Sequence, residues 1–299
     1  MDKRVLAILA AFGASLIYGI NHTVAKDAMP TYIQPFGFIL LRVLGATILF
    51  WIIGIWGPKE RIQKTDFLRV FFCALTGMCI NMLAFFKGLS LSSPINSSVI
   101  ITLSPIVVFV LSALLIKEKI TWVRWFGIAL GFAGALALVL FGNVPEKYAN
   151  NNALLGNSLM ILNSIAYSMY LIAVKPLTAK YHPFTLMKWI FLLSIFINLP
   201  ITYKEFVAVD WFHLPFDGIW KLSFVVLGTT FLTYLLNLFA LKQLKASTIG
   251  AFVYLQPLIG IIFATMVGAD TLSTTKISAA LLVFTGVYLV TKKPKANPA

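Results

Sequence analysis

Long apolar stretches alternate with short polar segments along the whole chain. Ten such stretches can be delimited, at residues 5–25, 34–56, 67–89, 95–116, 122–141, 156–174, 184–201, 220–241, 248–267 and 277–290. A helix of about 20 residues crosses the hydrocarbon core of a bilayer, and it satisfies its own backbone hydrogen bonds there. The pattern therefore predicts an all-α membrane protein with ten transmembrane helices.

The composition also indicates that the chain is surrounded by a lipid bilayer. Of the 299 residues, 60% are hydrophobic and only 11% are charged, so a water-soluble chain of this length would lack the polar residues to cover its surface. We therefore expect the lipid bilayer to be the main partner of the chain.

The basic residues predict the orientation. The net charge is +14, but the cations are dispersed between apolar stretches, which argues against a nucleic-acid partner. With a cytoplasmic N-terminus, the inside segments hold Lys3, Arg4, Lys59, Arg61, Lys64, Lys117, Lys119, Arg124, Lys175, Lys180, Lys242, Lys245, Lys292, Lys293 and Lys295. The outside segments hold only Lys26, Lys87, Lys147, Lys204 and Lys276. The positive-inside rule predicts a multi-pass protein of the cell membrane with both termini in the cytoplasm.

The second half of the chain repeats the first. A shift of 152 residues places Gln256-Pro257 on Ser104-Pro105, both in the middle of an apolar stretch, and a shift of 149 places Tyr167 on Tyr18. Because each half has five crossings, the second half is predicted to be inverted in the membrane. We expect a single integral membrane domain around a central cavity, with a first repeat at 1–141, a connecting loop at 142–155 and a second repeat at 156–299.

Several of these segments resemble a known family. They are Tyr18-Gly19-Ile20-Asn21 ending in Lys26, the run from Phe86-Lys87-Gly88-Leu89 through Pro105 to Glu118, and Trp125-Phe126-Gly127. Together they resemble the EamA repeat, and a looser second copy runs from Leu241 through Pro257 and Asp270 to Gly286. The resemblance covers nearly the whole chain. It implies the drug/metabolite transporter superfamily, with ten helices, a central cavity and, often, export of amino acids or other small metabolites.

Polar side chains within the first and sixth stretches form matching stripes. At about 100° per residue, Ser15, Tyr18 and His22 share one helix face, and Tyr167 and Tyr170 lie on the corresponding face of the sixth helix. Polar groups that face lipid go unpaired, so the stripes are predicted to line the cavity and contact substrate. The alternative is that these groups only bond neighbouring helices.

The eighth stretch carries a sharper pattern at spacings i, i+3, i+4 and i+7. The predicted substrate contacts there are Thr230, Thr233, Tyr234 and Asn237, with Asn81 as the counterpart of Thr233 and with Thr102, Tyr254 and Gln256 near the two prolines. Threonine and asparagine also hold helices together, so this alternative stays open here too.

Two prolines and one arginine complete the predicted site. Pro105 and Pro257 remove backbone donors and are predicted to kink their helices, which frees carbonyl groups toward the cavity. Arg42 lies within the second stretch, where an arginine costs roughly 2.5–3.5 kcal/mol on insertion scales and needs compensation. An anionic substrate group or backbone carbonyls would each provide it. Glu118 and Asp270 lie at stretch ends, where they are expected to be solvated or structural.

The residues indicate a carrier. The three histidines, His22, His182 and His213, are scattered, and the chain has no nucleophile with its base, no metal cluster and no phosphate-binding glycine loop. We therefore expect no enzyme activity, no cofactor and no metal. The interpretation is a secondary transporter that exports small amphipathic metabolites, such as amino acids, by alternating access; its partner is a small-molecule substrate. A sugar-phosphate or nucleotide-sugar exchanger and a passive channel are the alternatives, and the sequence sets no oligomeric state.

Overall fold

The described part of the chain is helical. The computed structural model describes residues 3–116, 121–142, 145, 152–244, 252 and 255–291, and no strand occurs among them. The α-helices are α1 Lys3–Ala28, α2 Pro35–Gly54, α3 Lys64–Cys73, α4 Asn81–Leu91, α5 Pro94–Ile101, α6 Ser104–Ile116, α7 Trp122–Phe141, α8 Ala153–Thr178, α9 Pro183–Val207, α10 Phe216–Ser223, α11 Thr233–Gln243, α12 Leu255–Met266 and α13 Thr274–Thr291. Two π-helices, π1 Ala74–Ile80 and π2 Phe224–Leu232, join α3 to α4 and α10 to α11. The prediction of an all-α protein is confirmed.

Eight helical segments have the length and apolar composition needed to cross a membrane. They are Lys3–Ala28, Pro35–Gly54, Lys64–Leu91, Pro94–Leu114, Trp122–Phe141, Ala153–Thr178, Pro183–Val207 and Phe216–Asn237, and they coincide with the first eight predicted stretches. Two shorter apolar helices, Leu255–Met266 and Thr274–Val290, lie at the ninth and tenth. Part of the ninth predicted stretch lies outside the described residues. The tenth predicted stretch, 277–290, is shorter than a typical membrane span.

The outer surface of the bundle is apolar and has aromatic side chains at both ends. Trp56 and Trp122 are 79% and 87% exposed at the end where α1 begins, called here the Lys3 end. Phe212 and Phe216 are likewise exposed at the opposite end, where α1 finishes, called here the Ala28 end. Exposed tryptophan and phenylalanine at both limits of an apolar band are typical of the two membrane interfaces.

Helices that occupy matching places in the two halves contact each other or each other's neighbours. Helix α1 packs against π2, α11 and α12, and α8 packs against π1, α4, α5 and α6. Helix α2 packs against α9, and α7 packs against α13. The two halves therefore interlock along their length.

The α7–α13 contact is closest at glycines. A Cβ atom added at Gly286 would lie 2.5 Å from the carbonyl oxygen of Gly127 and 2.5 Å from the backbone nitrogen of Gly131. One added at Gly134 would lie 2.7 Å from the carbonyl oxygen of Ala279. Such distances exclude any side chain there, so glycine lets the two backbones touch.

Two features of the helices differ from the sequence prediction. The fourth predicted helix is divided at Thr102 and Leu103, just before Pro105, which lacks a backbone donor and disfavours helical geometry in the residue before it. The eighth is interrupted by π2, so Thr230 does not share one uninterrupted α-helix with Thr233 and Asn237. The spacing i, i+3, i+4 and i+7 describes a face of a regular α-helix, and it does not hold through π2 because a π-turn contains more residues than an α-turn.

Candidate functional site

One group of polar side chains joins α1, α2 and π2 inside the bundle. We call Asn21, Arg42, Thr229, Thr230 and Thr233 the first cluster. The Thr229 hydroxyl donates to the Asn21 side-chain oxygen over 2.9 Å, and the Arg42 Nε donates to the Thr230 hydroxyl over 2.6 Å. Except for half-buried Arg42, these residues are buried. Hydrogen bonds between the helices compensate the burial of each polar group.

Arg42 is held on two sides. Besides its bond to Thr230, its guanidinium lies 5.9 Å from the ring centroid of Phe86, where the aromatic face attracts a cation. The Thr230 hydroxyl in turn donates to the backbone oxygen of Val225 over 3.1 Å. The sequence could not decide how this arginine is compensated, and the structure shows a protein partner for it.

A second group joins π1, α4 and α8. We call Gly77, Asn81, Asn163, Tyr167 and Tyr170 the second cluster. The Asn81 side-chain amide donates to the Asn163 backbone oxygen over 3.3 Å, and the Asn163 amide donates to the Asn81 backbone oxygen over 2.9 Å. The Tyr167 and Tyr170 ring centroids are 5.9 Å apart. The buried Tyr170 ring packs directly on Gly77, where a Cβ atom would lie 2.6 Å from it.

His22 contacts a different neighbour from either cluster. Its Nδ1 lies 2.9 Å from the Ser97 hydroxyl of α5, and its ring meets the Phe85 ring edge-to-face with centroids 5.4 Å apart. The Ser97 hydroxyl also lies 3.4 Å from the Met160 sulfur. The predicted first-helix stripe therefore reaches α5 at His22.

The other predicted contacts are more scattered. Ser15 donates to the backbone oxygen of Phe252 over 2.8 Å, and Thr102 donates within its own turn to Val99 over 2.5 Å. The half-buried residues among them are Tyr18, Asn237 and Gln256. Tyr254 and the side chain of Tyr234 lie outside the described residues. So do Glu118 and residue 253, four positions before Pro257.

The sequence prediction does not include three polar residues of the clusters. These residues, Asn21, Thr229 and Asn163, are buried and bonded across helices. An asparagine or threonine within an apolar span needs a partner, whatever its position relative to a stripe. That signal alone would have found them.

The described helix residues at the Ala28 end of the bundle are closely packed, and we call this the closed end. Residues 94–100 of α5 are all buried, and between residues 23 and 28 of α1 only Asp27 is exposed. The Lys26 ammonium is buried there and donates to the Ser90 backbone oxygen over 2.7 Å. At the Lys3 end, by contrast, Ala7 alone is buried among residues 3–9.

An ion pair between two residues of the second half of the chain stabilises this closed end. The Lys276 ammonium lies 2.5 Å from the Asp270 carboxylate, and their side chains are only 2% and 0% exposed. The other oxygen of Asp270 accepts from the backbone nitrogen of Ile95, at the start of α5, over 3.1 Å. Of the two roles expected for Asp270, solvated or structural, the structure shows the structural one: its carboxylate is buried because a lysine and a helix N-terminus compensate its charge.

A more exposed network surrounds the same end. Lys221 bridges Asp27 and Asp217, and the Tyr32 hydroxyl donates to Asp217 over 2.7 Å. The hydrogen bond to this carboxylate raises the pKa of Tyr32 above its ordinary value. Tyr32 consequently stays a neutral donor at physiological pH and connects the α1–α2 turn to α10.

The described residues contain no group of three or more His, Cys, Asp or Glu side chains that could hold a metal ion. The clusters offer hydroxyls, amides, tyrosine faces and one guanidinium. These groups bind and orient small molecules by hydrogen bonding and aromatic contact.

Eight apolar helical segments and bonded polar clusters between them define a multi-pass helical membrane protein. The chain belongs to the EamA-like transporter family, which matches residues 5–140 and 154–292. The two matched segments correspond to the two halves found by the sequence shift.

Several relatives of similar length are named as uncharacterized transporters. One of Archaeoglobus fulgidus is 26% identical over 289 residues, covering 97% of this chain and 98% of the relative. The uncharacterized transporter YyaM of Bacillus subtilis is 22% identical, and the match covers 99% of this chain and 97% of the relative. A WAT1-related protein of Arabidopsis thaliana is 25% identical and covers 91% and 82%. One solved crystal structure shares the fold, with a TM-score of 0.62 over 95% of this chain and 96% of that chain at 16% identity.

Proposed function

We propose that this chain is a secondary transporter in which two inverted five-helix repeats, residues 1–141 and 156–299, expose a central site to either side of the membrane in turn. The site lies between the first and second clusters. Family membership and the relatives' names support transport in place of an enzyme activity.

The observation that carries this proposal is the correspondence between the clusters. A shift of 152 residues places π1 within π2 and Asn81 on Thr233, and each π-helix meets the first helix of the opposite half. Two related polar clusters, each shared between the two halves, are what a repeat-built carrier needs, because movement of one half against the other then changes access to the same site.

The close packing at the Ala28 end supports a state that faces the Lys3 end. The α5 residues and the Asp270–Lys276 pair are buried at one end, whereas the first turns of α1 are exposed at the other. In the predicted orientation the site would face the cytoplasm, which is the loading state of an exporter. Export itself rests on the family resemblance.

The chemistry of the clusters supports a small amphipathic substrate, such as an amino acid or a related metabolite. Amides and hydroxyls suit polar groups, and the faces of Tyr167 and Tyr170 suit an apolar moiety. A sugar-phosphate or nucleotide-sugar carrier would need several buried cations to meet phosphate. Among the proposed site residues Arg42 is the single cation, and it already donates to Thr230.

The predicted topology can be tested by labelling. With both termini in the cytoplasm, a cysteine introduced at Asn151 should react with a membrane-impermeant thiol reagent added to intact cells, whereas one at Lys293 should react only after the cells are opened. Cys73 and Cys79 are buried and serve as an unreactive background. Labelling of the Lys293 position in intact cells would contradict this orientation.

The central test is whether Thr233 of the first cluster and Asn237, one helical turn further along α11, contact the substrate. Thr233→Val and Asn237→Leu should each lower flux in proteoliposomes about 3–10-fold, since each removes one polar contact to the substrate worth about 0.5–1.5 kcal/mol. Melting temperature should hardly change, because both replacements are compatible with an apolar span.

Thr265→Val is a matched control for the threonine variant. The hydroxyls of Thr233 and Thr265 both donate to a carbonyl four residues earlier in their own helix, over 2.6 Å and 2.8 Å, but Thr265 is exposed and distant from the clusters. Its flux should equal that of the unmodified protein. Loss of folded protein in parallel with flux at Thr233 and Asn237 would instead assign both residues to helix packing.

A further inference from the structure

An open cleft with a volume of about 600 Å³ lies at the Lys3 end, away from both polar clusters. It is formed by the connection between α2 and α3, the first turn of α3 and the second turn of α9. Three cations, Arg61, Lys64 and Lys188, line it together with one carboxylate, Glu60. The cleft thus has an excess of positive charge.

Most of the charged side chains that line the cleft form no ion pair with another described residue. Glu60 accepts from the backbone nitrogen of His182 over 2.8 Å, at the start of α9, so the helix terminus stabilises its charge. Arg61 and Lys64 are exposed, and no ion pair joins either of them to another described residue. The nearby Asp66 pairs instead with Lys180, outside the cleft lining. Arg61 and Lys64 are therefore available to bind an anion.

Two aromatic rings, Phe67 and Trp189, form the apolar wall of the same cleft, and they meet edge-to-face with centroids 5.9 Å apart. Trp51 adjoins this wall, because its ring meets Trp189 at 5.8 Å. Lys188 directs its ammonium to 5.2 Å from the Trp51 ring centroid. Trp51 and Phe67 are 40% and 38% exposed, so the wall continues onto the outer apolar surface.

The position of these residues sets their depth in the membrane. Lys64 is the first residue of α3, Lys188 the sixth of α9, and Trp51 the fourth from the end of α2. At 1.5 Å per residue, all lie within roughly 8 Å of a helix end, which is the headgroup layer of a bilayer.

We propose that this cleft binds the headgroup of an anionic phospholipid, with the phosphate against Arg61, Lys64 and Lys188 and an acyl chain along Trp51 and Phe67. Basic clefts between helices at the membrane surface recognise such headgroups by charge. A soluble anion would use the cations but leave the exposed aromatic wall uncovered, whereas a lipid covers both. The lipid would stabilise the contact between α3 and α9, which belong to different halves of the chain.

The experiment is a titration of the purified full-length protein in neutral detergent with phosphatidylglycerol, followed by native mass spectrometry. The unmodified protein should bind phosphatidylglycerol at least 10-fold more tightly than phosphatidylcholine. Arg61→Gln/Lys64→Gln should weaken phosphatidylglycerol binding roughly 30-fold, since each basic residue at an anionic surface contributes roughly 5-fold in affinity. Lys188→Met, which keeps the apolar stem over Trp51, should weaken it roughly 5-fold.

The matched control is Lys3→Gln/Lys175→Gln, which removes two exposed cations from the same end but outside the cleft. It should change binding less than 3-fold. Equal weakening in the two double variants would overturn the site, as would equal affinity for phosphatidylcholine. Displacement of the lipid by millimolar inorganic phosphate would overturn the lipid as occupant and assign the cleft to a soluble phosphate. Transport is not measured, so the result is independent of the proposed substrate site.

Discussion

Replacement of Asp270 by Asn is expected to destabilise the protein by about 3–5 kcal/mol, because it leaves the Lys276 ammonium buried without its counter-charge. Asparagine keeps an oxygen that can accept from Ile95, so the loss reports the ion pair and not the helix cap. The measurement is the midpoint of thermal unfolding of purified protein in detergent, with the folded fraction followed by size-exclusion chromatography. The double variant Asp270→Asn/Lys276→Met should recover at least half of the loss, since no unpaired charge then stays buried.

Asp210→Asn is the matched control for Asp270→Asn, because it removes a carboxylate from an exposed ion pair. Asp210 lies 2.8 Å from the ring of His213, but the two side chains are 67% and 83% exposed. Solvent screens such a pair, so its removal should cost at most about 1 kcal/mol. Equal stability of the Asp210 and Asp270 variants would show that the buried pair does not fasten the Ala28 end.

Gly286→Ala is expected to reduce the yield of folded protein severely and to cost about 3 kcal/mol in the protein that folds. The added methyl group would clash with two backbone atoms of α7, at Gly127 and Gly131. Backbone atoms cannot relieve a clash by a change of rotamer, as a side chain can. The α7–α13 contact must then open along its length. Yield after membrane extraction and the unfolding midpoint together measure the effect.

Gly13→Ala tests the same substitution where there is room. A Cβ atom at Gly13 would lie 3.6 Å from the end of the Leu236 side chain, an ordinary contact. Alanine favours the helix over glycine by about 1 kcal/mol, so this variant should be neutral or more stable. A Gly286 variant as stable as the Gly13 variant would contradict the close approach of the two helices.

The membrane-spanning architecture could be predicted from sequence because it depends on a length that the bilayer fixes. An uninterrupted apolar stretch from 122 to 141 can only cross as a helix, and the structure begins and ends α7 at those residues. The predicted tenth stretch, 277–290, likewise lies within α13, Thr274–Thr291.

The site was less predictable because it depends on partners that are distant in sequence. A helical wheel places Thr230 with Thr233, but it assumes regular α-geometry that π2 does not have. From the sequence, Asp270 could be either solvated or structural, since nothing near it in sequence reveals that its carboxylate accepts from Ile95. Only the packing of the two halves supplies these contacts.

The capping of α5 by Asp270 has a consequence for biogenesis. The start of α5, near residue 95, leaves the ribosome about 175 residues before the carboxylate that its backbone nitrogen binds. Likewise, α7 has no α13 to pack on until residues 274–291 have been synthesised. The first half is therefore inserted before these contacts can form. A C-terminal truncation before Asp270 leaves the earlier helices without them.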